Sequence, residues 1–198
     1  MADKITLIFC SGDAWYSDII KAVEHGSITH VAGLILGSTL EASGICGEHD
    51  RYPGVWLHPP SEYIDGAKCK FVTLQINSLA AAEEKARELL GTPYSFHGCI
   101  EAGVQMLFNL EPPVDGELTM MCSETWTRIL EAGGPIGFTL PDFKADFVAP
   151  QRLYDAVIGG GYECMGTHSK RCHRLHKRVF KACYIKRVGF MGRRQGKG

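Results

Sequence analysis

Apolar residues recur along the chain with two periods, and the switches between them mark out the expected elements. Lys4–Cys10 (KITLIFC) is nearly all apolar, β-branched or aromatic, which predicts a buried strand ended by the turn formers Ser11, Gly12 and Asp13. Trp15, Ile19, Ile20 and Val23 then recur at helical spacing, with Asp13 as a cap and Asp18, Lys21 and Glu24 on the outer face. Thr29–Leu36 predicts a second strand, Gly37–Ser38 a turn, and Thr39–Ala42 a third strand. Val55, Trp56 and Leu57 suggest a strand inside an otherwise loop-like stretch, Gly44–Asp65, and Phe71–Ile76 suggests another.

Ser78 caps a helix expected over Leu79–Leu90, which Gly91 stops. Gly91-Thr-Pro-Tyr-Ser-Phe reads as a turn, Cys99–Leu110 as an apolar helix, Ser123–Ala132 as a strong helix, and Gln151–Val157 as a short one. Consecutive strands with helices grouped apart indicate an α+β fold rather than alternating βαβ units.

A chain of 198 residues with 45% hydrophobic content buries one substantial core, so one domain is expected, with its body over residues 1–163. The net charge of −1 conceals an asymmetry. Residues 1–163 carry 22 acids against 10 bases, a net −12, whereas residues 164–198 carry 11 bases and no acid. The expected organisation is therefore an acidic body with a basic C-terminal extension. Such an extension folds back on the body as a solvated tail, or holds nucleic acid, anionic lipid or an anionic wall polymer.

No basic run followed by a long apolar segment opens the chain, and no stretch reaches the ~20 apolar residues of a membrane span. The expectation is synthesis in the cytoplasm without a cleaved export signal. Eight cysteines at irregular spacing, without a CxxC pair, suggest reduced thiols. Cys164, His168, Cys172 and His176 recur every fourth residue, a helical stripe about 18 Å long and too long for one tetrahedral zinc. No metal or cofactor is called for, and neither a GxGxxG nor a GxxxxGK[ST] phosphate loop occurs.

The most informative chemistry lies in Met120-Met-Cys-Ser-Glu-Thr-Trp, which sets a thiol at the start of a helix. Unpaired N–H groups at that end favour a thiolate, and the amides of Cys122 and Ser123 would face an oxyanion formed beside the sulfur. The alternative is a small buried residue at a helix start. A thiolate enzyme needs an imidazole to move its protons. Among eight histidines His30 is the candidate, because it begins a buried strand, whereas His25, His49 and His58 fall in apparent loops. Glu41, in the next strand, would orient the ring if period-two alternation turns both side chains to one side. Neutral burial of His30 and a solvated Glu41 are the competing readings.

Ser27-Ile-Thr-His-Val-Ala-Gly-Leu-Ile, Leu40-Glu-Ala, Gly91-Thr-Pro-Tyr and Met121-Cys-Ser-Glu together resemble the circularly permuted NlpC-type papain-fold hydrolases, especially the YiiX-like branch. In that group the histidine precedes the cysteine, as His30 precedes Cys122 here. The resemblance spans roughly residues 5–155. It implies a small antiparallel sheet carrying the histidine, packed against helices, one of which bears the cysteine at its N-terminus. It further implies Cys122 as nucleophile, His30 as general base, Glu41 as orienting acid, and Tyr94 as a residue lining the site near the oxyanion.

The activity it implies is that of a cysteine peptidase or amidase, with peptidoglycan stem peptides as the preferred substrate. Delivery to the cell wall would then follow a phage- or effector-type route. Two alternatives stand beside it. One is a thioesterase or acyltransferase on lipid-like acyl groups, favoured by Trp56 and Phe96 near the mouth; the other is a non-catalytic binding module that uses the basic extension.

Overall fold

Strand β1 (Asp3–Cys10) lies in the middle of the sheet and reads KIT-LIF because it is covered over most of its length: Leu7, Ile8 and Phe9 are all fully buried. The computed structural model describes residues 2–11, 26–44, 52–59, 69–95, 119–141 and 144–166. The helices expected over Trp15–Glu24 and Cys99–Leu110, Phe96, His25, His49 and nearly all of the basic extension lie outside the described residues.

On one side β1 pairs with β2 (His30–Ile35), which is followed by β3 (Ser38–Ser43) and β4 (Gly54–His58); on the other it pairs with β5 (Cys69–Ile76). A two-residue strand β6 (Met165–Gly166) finishes that edge, giving the order β4-β3-β2-β1-β5-β6 with every pairing antiparallel. The turn between β2 and β3 falls on Leu36 and Gly37, one residue earlier than the sequence suggests. Both have positive φ, 55° and 71°, the backbone a two-residue hairpin loop needs to match strand twist.

Three helices are described: α1 (Leu79–Leu89), α2 (Cys122–Gly133) and α3 (Pro150–Gly159). With the antiparallel sheet they make the α+β architecture. No helix among the described residues is long and apolar enough to cross a membrane. Ser78 accepts from the Ala81 amide at 3.1 Å and so caps α1, while Gly134 ends α2 in the left-handed conformation at φ 64°. The two ends are stitched together, since Asn77 and Ser78 donate to the carbonyls of Gly134 and Gly133, each at 2.9 Å.

Helix α2 packs on β2 and β3 and against α1. Its Trp126 is fully buried among Leu7, Val31, Leu40 and Leu74, and its indole N–H donates to the Leu40 carbonyl at 3.2 Å. The indole lies against the backbone of Gly33, where a built Cβ would come within 2.5 Å of the ring. A smaller cluster, Ile8, Ala32, Cys69 and Phe71, is also buried in the sheet.

The reduced-thiol expectation is corrected at two positions. Cys10 and Cys69 stand directly opposite each other on β1 and β5, with Cα atoms 4.2 Å apart, and form a disulfide. Their separation of 59 residues gives no local hint, because it is the pairing of two distant strands that brings them together.

Candidate active site

Cys122 occupies the first turn of α2, after Met121 in extended conformation (φ −89°, ψ 163°). The approach to this helix is fixed by a short backbone ladder. Met120 donates to the Pro93 carbonyl at 2.8 Å, Ser95 donates to Met120 at 3.0 Å, and Tyr94 donates to Pro53 at 3.0 Å. The Gly91-Thr-Pro-Tyr turn is thereby clamped between the start of β4 and the residues just ahead of Cys122, which explains how Tyr94 reaches this neighbourhood. Its side chain is half-buried against the main core.

The first turn of α2 is held from behind. Glu124 accepts from the Met121 amide at 3.2 Å, and Arg128 Nε and Nη2 reach its other oxygen at 3.1 and 2.9 Å. Arg128 also contacts Asp146 at 3.1 Å. Burial pushes the Glu124 carboxyl up to about 8, against the opposing pull of Arg128.

The helical bonding begins with Thr125, which donates to Met121 at 3.0 Å. The amides of Cys122 and Ser123 therefore fall among the first-turn donors that the helix itself leaves unsatisfied. Ser123 is fully buried, and its hydroxyl finds no hydrogen-bond partner among the described residues.

The histidine arrives from the sheet. His30 is the first residue of β2, opposite Cys10 of β1, and the residues before it are anchored by α3. Gln151 Oε1 accepts from the amides of Ser27 and Ile28 at 2.9 and 3.0 Å, and Thr29 donates to the Cys10 carbonyl at 3.0 Å. Glu41 lies in β3, where Gly33 faces Leu40, so it sits diagonally from His30 on the same side of the hairpin. The two side chains meet, His30 Nε2 to Glu41 Oε2, at 2.7 Å.

The Cys122 side chain bears on the same ring, through charge and within hydrogen-bonding reach. With Nε2 occupied by Glu41, Nδ1 is the ring nitrogen left for the sulfur. Burial alone would lower the His30 pKa; the Cys122 sulfur and the Glu41 carboxylate, through charge and hydrogen bonding, outweigh it and raise the value well above 6.5. Some 27% of the His30 side chain stays exposed, against 6% for Glu41, so the ring has a solvent side while the carboxylate does not.

Thus Cys122, His30 and Glu41 are brought together, with the Ser123 amide beside the sulfur-bearing residue and Tyr94 in the strand-like segment paired to Met120. Sequence reasoning missed His58. It is the last residue of β4, not a loop residue, is 4% exposed, and places Nε2 3.3 Å from Glu41 Oε1. Two signals pointed to it: the alternation Trp56, His58, and the residue before a proline, which favours extended backbone. Among the described residues no group of three His, Cys, Asp or Glu side chains is placed to hold a metal ion.

No protein-family model matches the sequence, and no curated protein matches it. Among solved structures the chain is similar to metalloprotein yiiX from Escherichia coli O157:H7, DUF1105, with a TM-score of 0.51 at 16% identity. That likeness covers 83% of this chain and 97% of the other. At such identity what is shared is the fold, and it is the fold of the branch that the sequence motifs resemble.

Proposed function

We propose that this protein is a cysteine hydrolase of amide bonds with a circularly permuted papain-like fold. One observation carries the reading: a single imidazole, His30, is hydrogen-bonded to a buried carboxylate and interacts through the same ring with a thiol at a helix N-terminus. Nucleophile, proton carrier and orienting group in that linkage are what thiol-based acyl transfer requires.

In this reading Cys122 attacks the substrate carbonyl carbon as thiolate while His30 holds the proton. The carbonyl oxygen becomes an oxyanion, stabilised by the amides of Cys122 and Ser123, with Tyr94 lining that side. As the tetrahedral species collapses, the C–N bond breaks and His30 passes its proton to the leaving amine. The resulting thioester is attacked by a water that His30 deprotonates; collapse releases the carboxylate and returns the Cys122 thiolate. Glu41 touches no substrate here. It keeps the ring oriented and favours its protonated form.

Peptidoglycan stem peptides are the preferred substrate, by analogy with the hydrolases that the motifs resemble, and action on the wall would rely on a phage- or effector-type route of delivery. YiiX is described as a metalloprotein; here His30 Nε2 contacts Glu41 directly at hydrogen-bond distance, and no step is routed through a metal. A specific observation keeps a second reading open, that of a thioesterase or acyltransferase. Trp56 stands opposite Glu41 and packs edge-on against the exposed Tyr52, an apolar surface suited to an acyl chain.

The test is incubation of wild type and Cys122→Ala with stem peptides and with an acyl thioester, read by mass spectrometry. Peptide cleavage that vanishes in the folded Cys122→Ala protein supports the amidase. A long-lived acyl adduct on Cys122 without peptide cleavage favours the second reading, and unchanged activity in Cys122→Ala removes both.

A further inference from the structure

Glu41 is a buried carboxylate, and only one of its oxygens is committed to His30. A carboxylate gripped through one oxygen still rotates about its last torsion, so orienting His30 requires a hold on the other oxygen as well. The second oxygen, Oε1, lies 3.3 Å from His58 Nε2, within ion-pair distance but outside hydrogen-bond alignment.

The placement follows from the sheet. On β4, Trp56 is opposite Glu41 and His58 is opposite Thr39, so His58 flanks Glu41 diagonally from β4 just as His30 flanks it from β2. Period-two alternation puts the three side chains on one side of the sheet, with the acid between the two rings. The His58 side chain is 3% exposed and Glu41 6%, so water competes little for the carboxylate.

We propose that His58 is a positioning residue of this site, fixing the Glu41 carboxylate through Oε1 so that Oε2 stays aimed at His30. The proposal rests on the hydrolase reading and adds a fourth member to its linkage. His58 contacts neither the sulfur nor the substrate in this scheme and acts only through Glu41. Among the described residues, the groups that bear on His30 are then Cys122 from α2, Glu41 from β3 and, through it, His58 from β4. Contacts of this length in a resting site commonly tighten when substrate binds.

The test reads the His30 ring and turnover together. NMR titration of His30, together with kcat and KM on the cleaved peptide, would be measured for wild type, His58→Phe, His58→Asn and His58→Gln, each also in a Glu41→Gln background. Removing the hold should lower the His30 midpoint by about half to one pH unit and kcat roughly 3- to 10-fold, with KM little changed. His58→Gln, whose amide still reaches Glu41, should recover most of both effects, whereas the shorter His58→Asn should not. In the Glu41→Gln background none of the His58 changes should matter further.

A His30 titration in folded His58→Phe or His58→Asn that overlays wild type would overturn the proposal. So would equal behaviour of His58→Asn and His58→Gln, or an effect that persists without the Glu41 charge. Those outcomes leave the hydrolase reading intact. A wild-type protein whose Cys122 is dispensable for turnover removes that reading, and the role of His58 falls with it.

Discussion

The indole of Trp126 fills the space that a side chain at Gly33 would need: a Cβ there would lie 2.5 Å from the ring and 2.9 Å from the Thr6 carbonyl oxygen. Trp126 is one helical turn beyond Cys122, and Gly33 is three residues beyond His30. This contact therefore sets how closely the helix bearing the sulfur approaches the strand bearing the imidazole. Gly33→Ala should destabilise the fold by about 1–3 kcal/mol, the usual cost of overpacking, by pushing α2 off β2. Urea unfolding measures that loss. The His30–Cys122 contact should loosen with it, seen as a lowered His30 NMR titration midpoint; a Gly33→Ala protein matching wild type in both would mean that this approach does not set the site.

The ring itself supplies a second prediction. Two of the influences that raise the His30 pKa come from Glu41, and Glu41→Gln removes its charge while keeping an acceptor. His30 should titrate well above 6.5 in wild type and move down in Glu41→Gln. Because the folded pKa exceeds the unfolded one, the linked stability is fully present below about pH 6.5 and is lost as pH rises through the folded value. Glu41→Gln should flatten that decline, and the proposed amidase activity should fall roughly 10- to 1000-fold, as expected when the group orienting a general base is lost. Equal His30 midpoints in the two proteins would show that Glu41 does not govern the ring.

What could be read from the residues alone follows the reach of each physical signal. Period-two patterning and cap residues act locally, so β1, β2, β3 and β5, the Ser78 cap and the start of α2 near Cys122 were all legible to within a residue or two. The meeting of His30 with Glu41 was legible because a tight hairpin joins their strands and fixes the register. Two features needed distant pairings. The Cys10–Cys69 disulfide depends on β5 lying beside β1, which no local pattern states. His58 precedes Pro59 and Pro60, so turn signals hid a strand end whose partner is β3.

That disulfide sits on the same rung of the sheet as the histidine, since Cys10 faces Cys69 on one side and His30 on the other. A peptide map without reductant should recover Cys10 and Cys69 as one linked species. Replacing both by serine should cost about 2–4 kcal/mol, the usual range for a cross-link closing a long loop. The Thr29 amide, which donates to the Cys10 carbonyl, should then exchange faster with solvent. Recovery of both cysteines as alkylated thiols from protein kept without reductant would contradict the pairing.

The carboxyl behind the nucleophile gives a stability test with a definite sign. Burial holds the Glu124 pKa at about 8 in the folded protein, whereas an exposed glutamate titrates near 4.5. Between these values the folded state keeps a proton that the unfolded chain has released, so stability must fall as pH rises from about 4.5 to about 8. Glu124→Gln still offers an oxygen to the Met121 amide and a group beside Arg128 but has no proton to lose, so its stability should vary less across that window. Each unit of pKa difference corresponds to about 1.4 kcal/mol, which sets the scale of the slope that disappears. Urea midpoints for the two proteins across the window decide it: parallel curves would mean that Glu124 is already ionised, held by Arg128 as an ion pair.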